Sequence, residues 1–187
     1  IYQPSFETVD QIISEGGNIM VQTSRGCSWG RCTFCSKASF KLGGIAAKGN
    51  EFDCWDGFPI QRVLDSFETL YSKGIKYMEI MDEDQFVVDR KAKHLDRLET
   101  IVDGLKYLSE KYGRKIEFII FVRPETLYRQ DDPAGNERMK QLLGKLKDVC
   151  LIRVFVSADS GSQTQLKRYM KGVTTQQVRE SVKMLKE

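Results

Sequence analysis

The sequence predicts an α/β fold, a partial parallel (β/α) barrel that contributes four strand–helix units. Short apolar runs alternate four times with longer segments of helical pattern, which is typical of parallel strands joined by helical crossovers. A cluster of polar residues directly follows each apolar run. In a barrel these clusters would share the rim at the carboxyl ends of the strands, where such folds place their functional residues.

The four apolar runs are each six to eight residues long, as expected of short strands. The third run, KIEFIIFV, is the most apolar of them. The predicted strands are residues 18–23, 76–81, 115–122 and 151–156. Between the first strand and about Phe58 we predict one long loop, which carries most of the cysteines.

Capping signals place the helices between these strands. The first helix begins at Pro59, a residue that suits the first helical position, and ends near Ser72. The second helix has Asp89 as its cap and ends at Gly113. The others are a helix from Asn136 to about Lys147, a short helix capped by Ser162 and stopped by Gly172, and a last helix opened by the capping-box pair Thr174 and Gln177.

The composition excludes some classes of partner and setting. Twenty-nine basic residues and 26 acidic ones give a net charge of +3, and the two signs are interspersed, so nucleic acid is not indicated. No apolar run is long enough to span a membrane, and no signal peptide is visible. Five cysteines, an odd number, argue against a disulfide framework and favour a reducing, cytoplasmic setting. Because residue 1 is Ile, we expect the chain to be part of a longer protein.

The stretch RGCSWGRCTFC, residues 25–35, concentrates three cysteines with the spacing C-x4-C-x2-C. A structural zinc site needs four protein ligands, and Cys54 is the only nearby fourth candidate, because His94 lies inside a helical run. Three thiolates can instead hold a four-iron cluster and leave one iron with an open coordination position, as in catalytic metal sites. A zinc site and purely structural cysteines remain the alternatives.

The stretch TSRGCSWGRCTFCS resembles the cluster-binding loop of the radical S-adenosylmethionine enzymes. Their usual spacing is C-x3-C-x2-C with an aromatic residue before the third cysteine, a place that Phe34 fills here. The longer gap occurs in relatives of the cobalamin-dependent and Elongator-type branches. Residues 159–187 are similar to the family's E-S-G-S and K-G-[TH]-T segment, with Asp159 in place of Glu. MDEDQF (81–86) resembles the D-D-x-F segment that ends the second strand in the cobalamin-associated branch. FVRPETL (121–127) resembles the segment that ends the third strand.

The resemblance implies a [4Fe-4S] cluster on Cys27, Cys32 and Cys35, with S-adenosylmethionine on the open iron. It also implies cofactor-binding roles, each with a plainer alternative. Phe34 would pack near the adenine or anchor the loop in the core. The ammonium group would be bound by Asp82, Glu83 and Asp84, which could instead belong to a solvated loop. The carboxylate would be bound by Arg123, which could instead form a surface ion pair. The ribose would be bound by Ser157, Asp159 and Ser162, and Ser162 is also suited as an N-cap.

The other conspicuous residues receive structural interpretations. We interpret Cys54 and Cys150 as structural cysteines, and Trp29 and Trp55 as core or loop anchors rather than cofactor contacts. The remaining two are Arg31 and Lys37, which flank the cysteine loop and would offset the charge of a cluster.

The implied function is reductive cleavage of S-adenosylmethionine to a 5′-deoxyadenosyl radical that acts on an unidentified substrate. Residues 1–187 would form an incomplete core domain, whose next strand follows Glu187. A cobalamin-binding domain outside this chain, before Ile1, would direct the chemistry to methyl transfer or to ring chemistry. The expected partner is a one-electron reductant of the flavodoxin or ferredoxin type. The alternatives are a cobalamin-free radical enzyme that modifies RNA or another macromolecule, and an electron-transfer or zinc module without radical chemistry.

Overall fold

The computed structural model describes residues 6–27, 29–36, 55–83 and 95–186. Four strands form its main sheet, and every neighbouring pair in it is parallel, so the carboxyl ends of the strands share one edge. Along the sheet the order is β1 (Ile19–Val21), β4 (Tyr77–Ile80), β5 (Glu117–Val122) and β6 (Leu151–Val156). This confirms the predicted α/β fold with four parallel strands. Within the described ranges the sheet does not close into a barrel.

Helices connect and flank these strands. In the described ranges they are α1 (Val9–Ser14), α2 (Ile60–Ser72), α3 (Leu95–Tyr112), α4 (Pro124–Leu127), α5 (Pro133–Asp148), α6 (Gln163–Arg168) and α7 (Thr175–Met184). No helix in this described part is long and apolar enough to cross a membrane.

The core lies between the sheet and the long helices. Helices α2 and α3 pack on each other, and their apolar faces join the buried residues of the strands in one core. Fully enclosed side chains include Phe67 of α2, Leu105 of α3, and Met78 and Phe118 of the sheet. This core fixes the strand ends, and therefore the loops that follow them.

A second, two-stranded sheet corrects the prediction of one long loop after the first strand. Here β2 (Ser24–Gly26) pairs antiparallel with β3 (Trp55–Gly57). Each strand is three residues long, too short for an alternating pattern to show in the sequence. The segment directly before Cys27 is therefore held by a backbone ladder.

Two helix starts also differ from the prediction. Pro59 is the N-cap of α2 rather than its first residue, because its ψ of 131° is extended. Helix α5 begins at Pro133 rather than at Asn136, with Asp132 as an N-cap whose carboxylate accepts from the Gly135 amide at 2.9 Å. The glycine in that first turn hides the start from a pattern search.

Two short helices, α1 and α4, were not predicted, since six and four residues carry little periodicity. The predicted cap Asp89 lies outside the described residues. Three other signals are confirmed. Gly113 follows α3 with a φ of +63°, Ser162 caps α6, and Thr174 forms a capping box with Gln177 at the start of α7.

Candidate cofactor site

The cysteine loop begins at the carboxyl end of β1, and the end of the neighbouring strand β4 holds it in place. Asp82 is 2% exposed and accepts three hydrogen bonds from residues next to the loop. The amide and hydroxyl of Thr23 donate to it at 2.7 and 2.5 Å, and the hydroxyl of Ser24 at 2.7 Å. Burial raises the pKa of Asp82, and these hydrogen bonds oppose the rise.

Glu83 extends the same contact toward the first cysteine. Its carboxylate accepts from the amide of Gly26 at 3.0 Å, one residue before Cys27. We call Asp82 and Glu83 the carboxylate anchor, because together they fasten residues 23–26 to the end of β4. The sequence assigned both side chains to a ligand's ammonium group, whereas the structure places them against the loop backbone. Asp84, the third acidic residue of that prediction, lies outside the described residues.

The three clustered cysteines are free thiols on one short segment. Cys32 is buried, and Cys27 and Cys35 are half-buried. The amide of Cys35 donates to the carbonyl of Cys32 at 3.1 Å, which forms a turn between them. Within the described ranges, no group of three His, Cys, Asp or Glu side chains is arranged to hold a metal ion. The ligand role of the three cysteines therefore remains a prediction.

Arg123, at the end of β5, is a charged residue that the core encloses beside this loop. It is 3% exposed, and its Nη1 lies 3.8 Å from the Cys32 sulfur, as a long hydrogen bond to a large acceptor. Its Nη2 donates to the carbonyl of Lys171 at 2.6 Å, and its Nε donates to Glu125. The alternative role given for Arg123, a surface ion pair, is therefore wrong in its location. Arg123 does form an ion pair, but its guanidinium is buried beside a cysteine.

Glu125 is the partner of this arginine, and its two carboxylate oxygens differ. Oε1 accepts from Arg123, whereas Oε2 is buried and has no hydrogen-bond partner among the residues that the structure describes. Burial raises the pKa of Glu125, and the charges of Arg123 and Lys171 oppose the rise. A buried carboxylate oxygen without a donor is costly, and in a native protein it indicates a donor from a ligand or from water.

A turn after α6 holds the other side of the cysteine loop through backbone oxygens. The Thr33 hydroxyl and amide donate to the carbonyls of Arg168 and Tyr169 at 3.4 and 2.9 Å. The indole N–H of Trp29 donates to the carbonyl of Met170 at 2.6 Å. We call residues 168–171, whose four successive carbonyls accept from Thr33, Trp29 and Arg123, the carbonyl anchor.

Residues predicted to contact ribose have protein partners at the end of β6. The Ser157 hydroxyl donates to the carbonyl of Val122 at 2.8 Å. Asp159, with a φ of +58°, forms an ion pair with Lys171, whose side chain is 5% exposed. Ser162 accepts from the Gln165 amide at 3.4 Å as the N-cap of α6. These contacts place the three side chains on one rim, and each hydroxyl keeps lone pairs that can accept from a ligand.

Phe34 is 55% exposed and meets the ring of Tyr169 edge-to-face, with centroids 5.2 Å apart. It is therefore not anchored in the core, which was one of its two predicted places. Trp29 does act as a loop anchor, as predicted. Cys150 lies in the turn before β6, at a φ of +81°, away from the cysteine loop. Cys54 and Lys37 lie outside the described residues.

Sequence reasoning missed four residues of this site: Thr23, Ser24, Glu125 and Lys171. Thr23 and Ser24 directly precede the cysteine motif, and Glu125 and Lys171 lie inside the quoted FVRPETL and K-G segments. Their importance depends on burial at the ends of neighbouring strands. No spacing within the sequence reports that burial.

The sulfur atoms of the three cysteines suit only some kinds of metal group. Thiolate sulfur suits zinc, copper(I) and iron–sulfur clusters. Three thiolates make such a group anionic, and Arg123 and Arg31 place two cations around the loop, both beside the ring of Trp29. Arg123 already lies against one of the sulfurs. The residues present therefore fit an anionic iron–sulfur cluster in donor type and in surrounding charge.

Comparisons with known proteins agree with this chemistry. The chain is 26% identical over 183 residues to 4′-phospho-dehydrooxetanocin synthase of Priestia megaterium, a match that covers 93% of this chain and 22% of that protein. The structure of the cobalamin-dependent S-adenosylmethionine radical enzyme OxsB, with aqua-cobalamin and S-adenosylmethionine bound, superposes with a TM-score of 0.80 at 23% identity. That superposition covers 99% of this chain and 24% of OxsB.

A second solved structure is that of the radical S-adenosylmethionine methyltransferase TsrM from Kitasatospora setae, with cobalamin and a [4Fe-4S] cluster bound. It has a TM-score of 0.64 at 18% identity and covers 91% of this chain and 27% of that one. The chain thus spans about a quarter of the length of these relatives. Residues 21–187 match the radical SAM superfamily itself. This chain therefore belongs to the radical SAM superfamily of enzymes, and membership implies a [4Fe-4S] cluster and S-adenosylmethionine as cofactors.

Proposed function

We propose that this chain holds a [4Fe-4S] cluster through Cys27, Cys32 and Cys35 and binds S-adenosylmethionine beside it for radical chemistry on a further substrate. One observation carries the proposal: a buried guanidinium lies against Cys32, paired with a carboxylate that has a buried oxygen without a donor in the described part of the chain. The pair offers a cation and an acceptor next to the motif. Those are the two groups that the amino-acid end of S-adenosylmethionine requires.

Each side chain of the pair has a defined task in this proposal. Arg123 is suited to a carboxylate, because its planar guanidinium matches two oxygens at once. Glu125 Oε2 would accept from the ammonium group, which supplies the donor that this buried oxygen lacks. Ser157, Asp159 and Ser162 stay assigned to ribose hydroxyls. In place of the predicted ammonium contact, Asp82 and Glu83 position the loop.

The chemistry available at the site is one-electron reductive cleavage of the S–C5′ bond, which yields methionine and a 5′-deoxyadenosyl radical. The chain's own contribution is to bind, orient and exclude water. Arg123 and Cys32 are both buried, so a cofactor held there is shielded on the side of the core. The two anchors fix the loop on either side, which limits movement of the cysteines during catalysis.

We infer that the whole protein also carries a cobalamin-binding domain outside residues 1–187, which would themselves form the radical core. Two observations support this inference: the likeness to OxsB and TsrM, whose structures contain cobalamin, and the segment MDEDQF. We further infer a flavodoxin- or ferredoxin-type reductant, since the cleavage needs one low-potential electron. A cytoplasmic setting suits free thiols that must stay reduced.

Anaerobic reconstitution of the full-length protein tests the core proposal. After reduction, the wild type should bind about four irons per chain, as a [4Fe-4S] cluster requires, and should form 5′-deoxyadenosine from S-adenosylmethionine. The variants Cys27→Ala, Cys32→Ala and Cys35→Ala should lose both properties. Cys150→Ala is the matched control and should retain both, because Cys150 lies away from the loop.

The outcomes separate the alternatives. A colourless protein with stoichiometric zinc, or a cluster also lost in Cys54→Ala, would contradict the three-cysteine site. A reducible cluster that forms no 5′-deoxyadenosine would favour electron transfer. Cobalamin binding is tested by adding hydroxocobalamin to the full-length protein and recording its absorption after gel filtration. Absence of bound cobalamin, with 5′-deoxyadenosine still formed, would favour the cobalamin-free radical enzyme.

A further inference from the structure

The four-residue gap between Cys27 and Cys32 contains Trp29, and the structure shows where its side chain goes. The indole N–H donates to the carbonyl of Met170 at 2.6 Å, across 141 positions of sequence. That oxygen belongs to the carbonyl anchor, which also accepts from Thr33 just after Cys32. A residue inside the gap therefore fastens the loop to the turn between α6 and α7.

The ring of Trp29 also fills the space that the turn leaves open at Gly172. A Cβ built on Gly172 would lie 2.3 Å from the indole Cζ2, which is closer than any side chain tolerates. Gly172 has a φ of +75°, a conformation that other residues rarely adopt. Two features therefore require glycine at this position: the positive φ of the backbone and the close contact with the indole.

Two cations contact the same ring. The guanidinium carbon of Arg31 lies 5.2 Å from the ring centroid, and that of Arg123 lies 5.8 Å from it. Distances below about 6 Å favour attraction between a guanidinium and an indole face. Arg123 is also the residue whose Nη1 lies 3.8 Å from the sulfur of Cys32. The indole therefore supports the charged group that contacts a cysteine of the motif.

We propose that Trp29 is a positioning residue for the iron–sulfur cluster, docking the cysteine loop on residues 168–172 and holding Arg123 against Cys32. The inference rests on the proposed function, since it assumes that the three cysteines bind the cluster. It goes further in assigning a task to the additional residue of the C-x4-C gap. The longer gap gives the loop room to place an indole between the cysteines and the Lys171-Gly172 turn.

The role makes two separable predictions, because the indole contributes a hydrogen bond and a ring. Trp29→Phe keeps a ring for Arg123 and Gly172 and removes only the bond to Met170, so we expect a small effect. Trp29→Ala removes both. Iron loss to a ferrous chelator should then be about 10-fold faster or more, the usual range for losing a supporting contact of a metal ligand. The midpoint potential should become more negative, because Arg123 is no longer held beside Cys32.

Gly172→Ala probes the same contact from the other side. Its Cβ would displace the indole, so it should reproduce the faster iron loss and the more negative midpoint potential of Trp29→Ala. The double variant tests whether the two residues act together. With the indole removed, adding the Cβ should have a much smaller further effect, since only the backbone strain at Gly172 remains.

Tyr107→Ala is the control, because this aromatic ring is 61% exposed on α3, a helix that contributes no residue to either anchor. It should leave the rate of iron loss and the potential unchanged. Thermal unfolding of every variant, recorded by circular dichroism, separates a docking effect from global unfolding. If Trp29 docks the loop, iron loss and midpoint potential should change little in Trp29→Phe, which loses the hydrogen bond, and more in Trp29→Ala, which loses the hydrogen bond and the ring. Both variants should remain folded.

Two results would overturn this inference. Either Trp29→Ala retains the wild-type rate of iron loss and potential, or the effects of Trp29→Ala and Gly172→Ala simply add. Both results leave the proposed function intact, because the wild type would still bind its cluster and form 5′-deoxyadenosine. A wild type that binds no cluster would instead contradict the proposed function itself.

Discussion

Two regions hold the cysteine loop, and they use opposite chemistry. In the carboxylate anchor, side chains at the end of β4 accept from residues 23–26, and the donors are two backbone amides and two hydroxyls. In the carbonyl anchor, the accepting groups are backbone oxygens of residues 168–171, and the donors are a tryptophan, a threonine and an arginine.

This difference determines how each anchor can fail. The carboxylate anchor depends on two particular side chains, so one substitution there can remove several hydrogen bonds, and protonation can alter them. The acceptors of the carbonyl anchor depend on the shape of the turn, where Met170 and Gly172 have φ values of +49° and +75°. No substitution deletes a carbonyl. That anchor fails when its donors are lost or when the turn changes shape.

The largest expected effect is at Asp82. Asp82→Ala would leave the Thr23 amide and two buried hydroxyls without their acceptor. The free energy of unfolding should fall by about 3 kcal/mol, because buried donors left unpaired are costly. Urea denaturation followed by far-UV circular dichroism measures this. Asp65→Ala is the control, since Asp65 is exposed on α2. An equally small change in both variants would show that the carboxylate anchor adds little stability.

Glu83→Ala should have an intermediate effect. It removes the part-buried acceptor of the Gly26 amide, for which a loss of about 1 kcal/mol is expected. The same variant should also bind the cluster less tightly, because Gly26 adjoins Cys27. Chelator-induced iron loss and urea denaturation together test both statements. Glu83→Gln keeps an acceptor and should be milder; if it equals Glu83→Ala, the charge matters and not the hydrogen bond.

Met170→Gly should have a smaller effect, although Met170 lies at the centre of the carbonyl anchor. Its side chain is 50% exposed, and its acceptor is a backbone oxygen that glycine retains. Glycine also suits the left-handed conformation, so stability should change by less than about 1 kcal/mol. The cluster's spectrum and iron-loss rate should stay as in the wild type. Faster iron loss in Met170→Gly would show that the anchor depends on this side chain.

The pH dependence sharpens the contrast between the anchors. The pKa of Asp82 is raised on folding, so the folded chain binds more protons than the unfolded chain between the ordinary value of 3.8 and the raised one. This contribution to stability is present at low pH and is lost as the pH rises through the folded-state pKa. The wild type should therefore lose stability relative to Asp82→Asn over that range, in urea denaturation at several pH values. A constant difference would contradict the raised pKa.

Much of the fold was predictable, because each βα unit carries local signals. The strand 151–156 is clear in the sequence as an apolar run. The caps Ser162 and Thr174 are clear because each depends on residues one helical turn away. The β2–β3 pair was missed, because it joins segments some 30 residues apart without an alternating pattern.

The site was predictable to a lesser degree. The cysteine motif and Arg123 could be identified from spacing and from resemblance to a family. The Lys171 carbonyl could not, because it reaches Arg123 only in the assembled fold. Glu125 lies two residues from Arg123, but the sequence does not show that its carboxylate is buried against the guanidinium. The acidic residues Asp82 and Glu83 look the same in sequence whether they face a ligand or a loop backbone. Burial and hydrogen bonding decide between the two, and both are properties of the assembled sheet.

Each anchor holds a backbone amide directly beside a cysteine, that of Gly26 next to Cys27 at the carboxylate anchor and that of Thr33 next to Cys32 at the carbonyl anchor. An amide exchanges its hydrogen with solvent only when the bond that protects it opens. The two exchange rates therefore report separately on how often each end of the loop lifts from the protein. If the cluster fastens both ends together, binding it should slow both amides and make their rates converge, turning two local openings into one cooperative event.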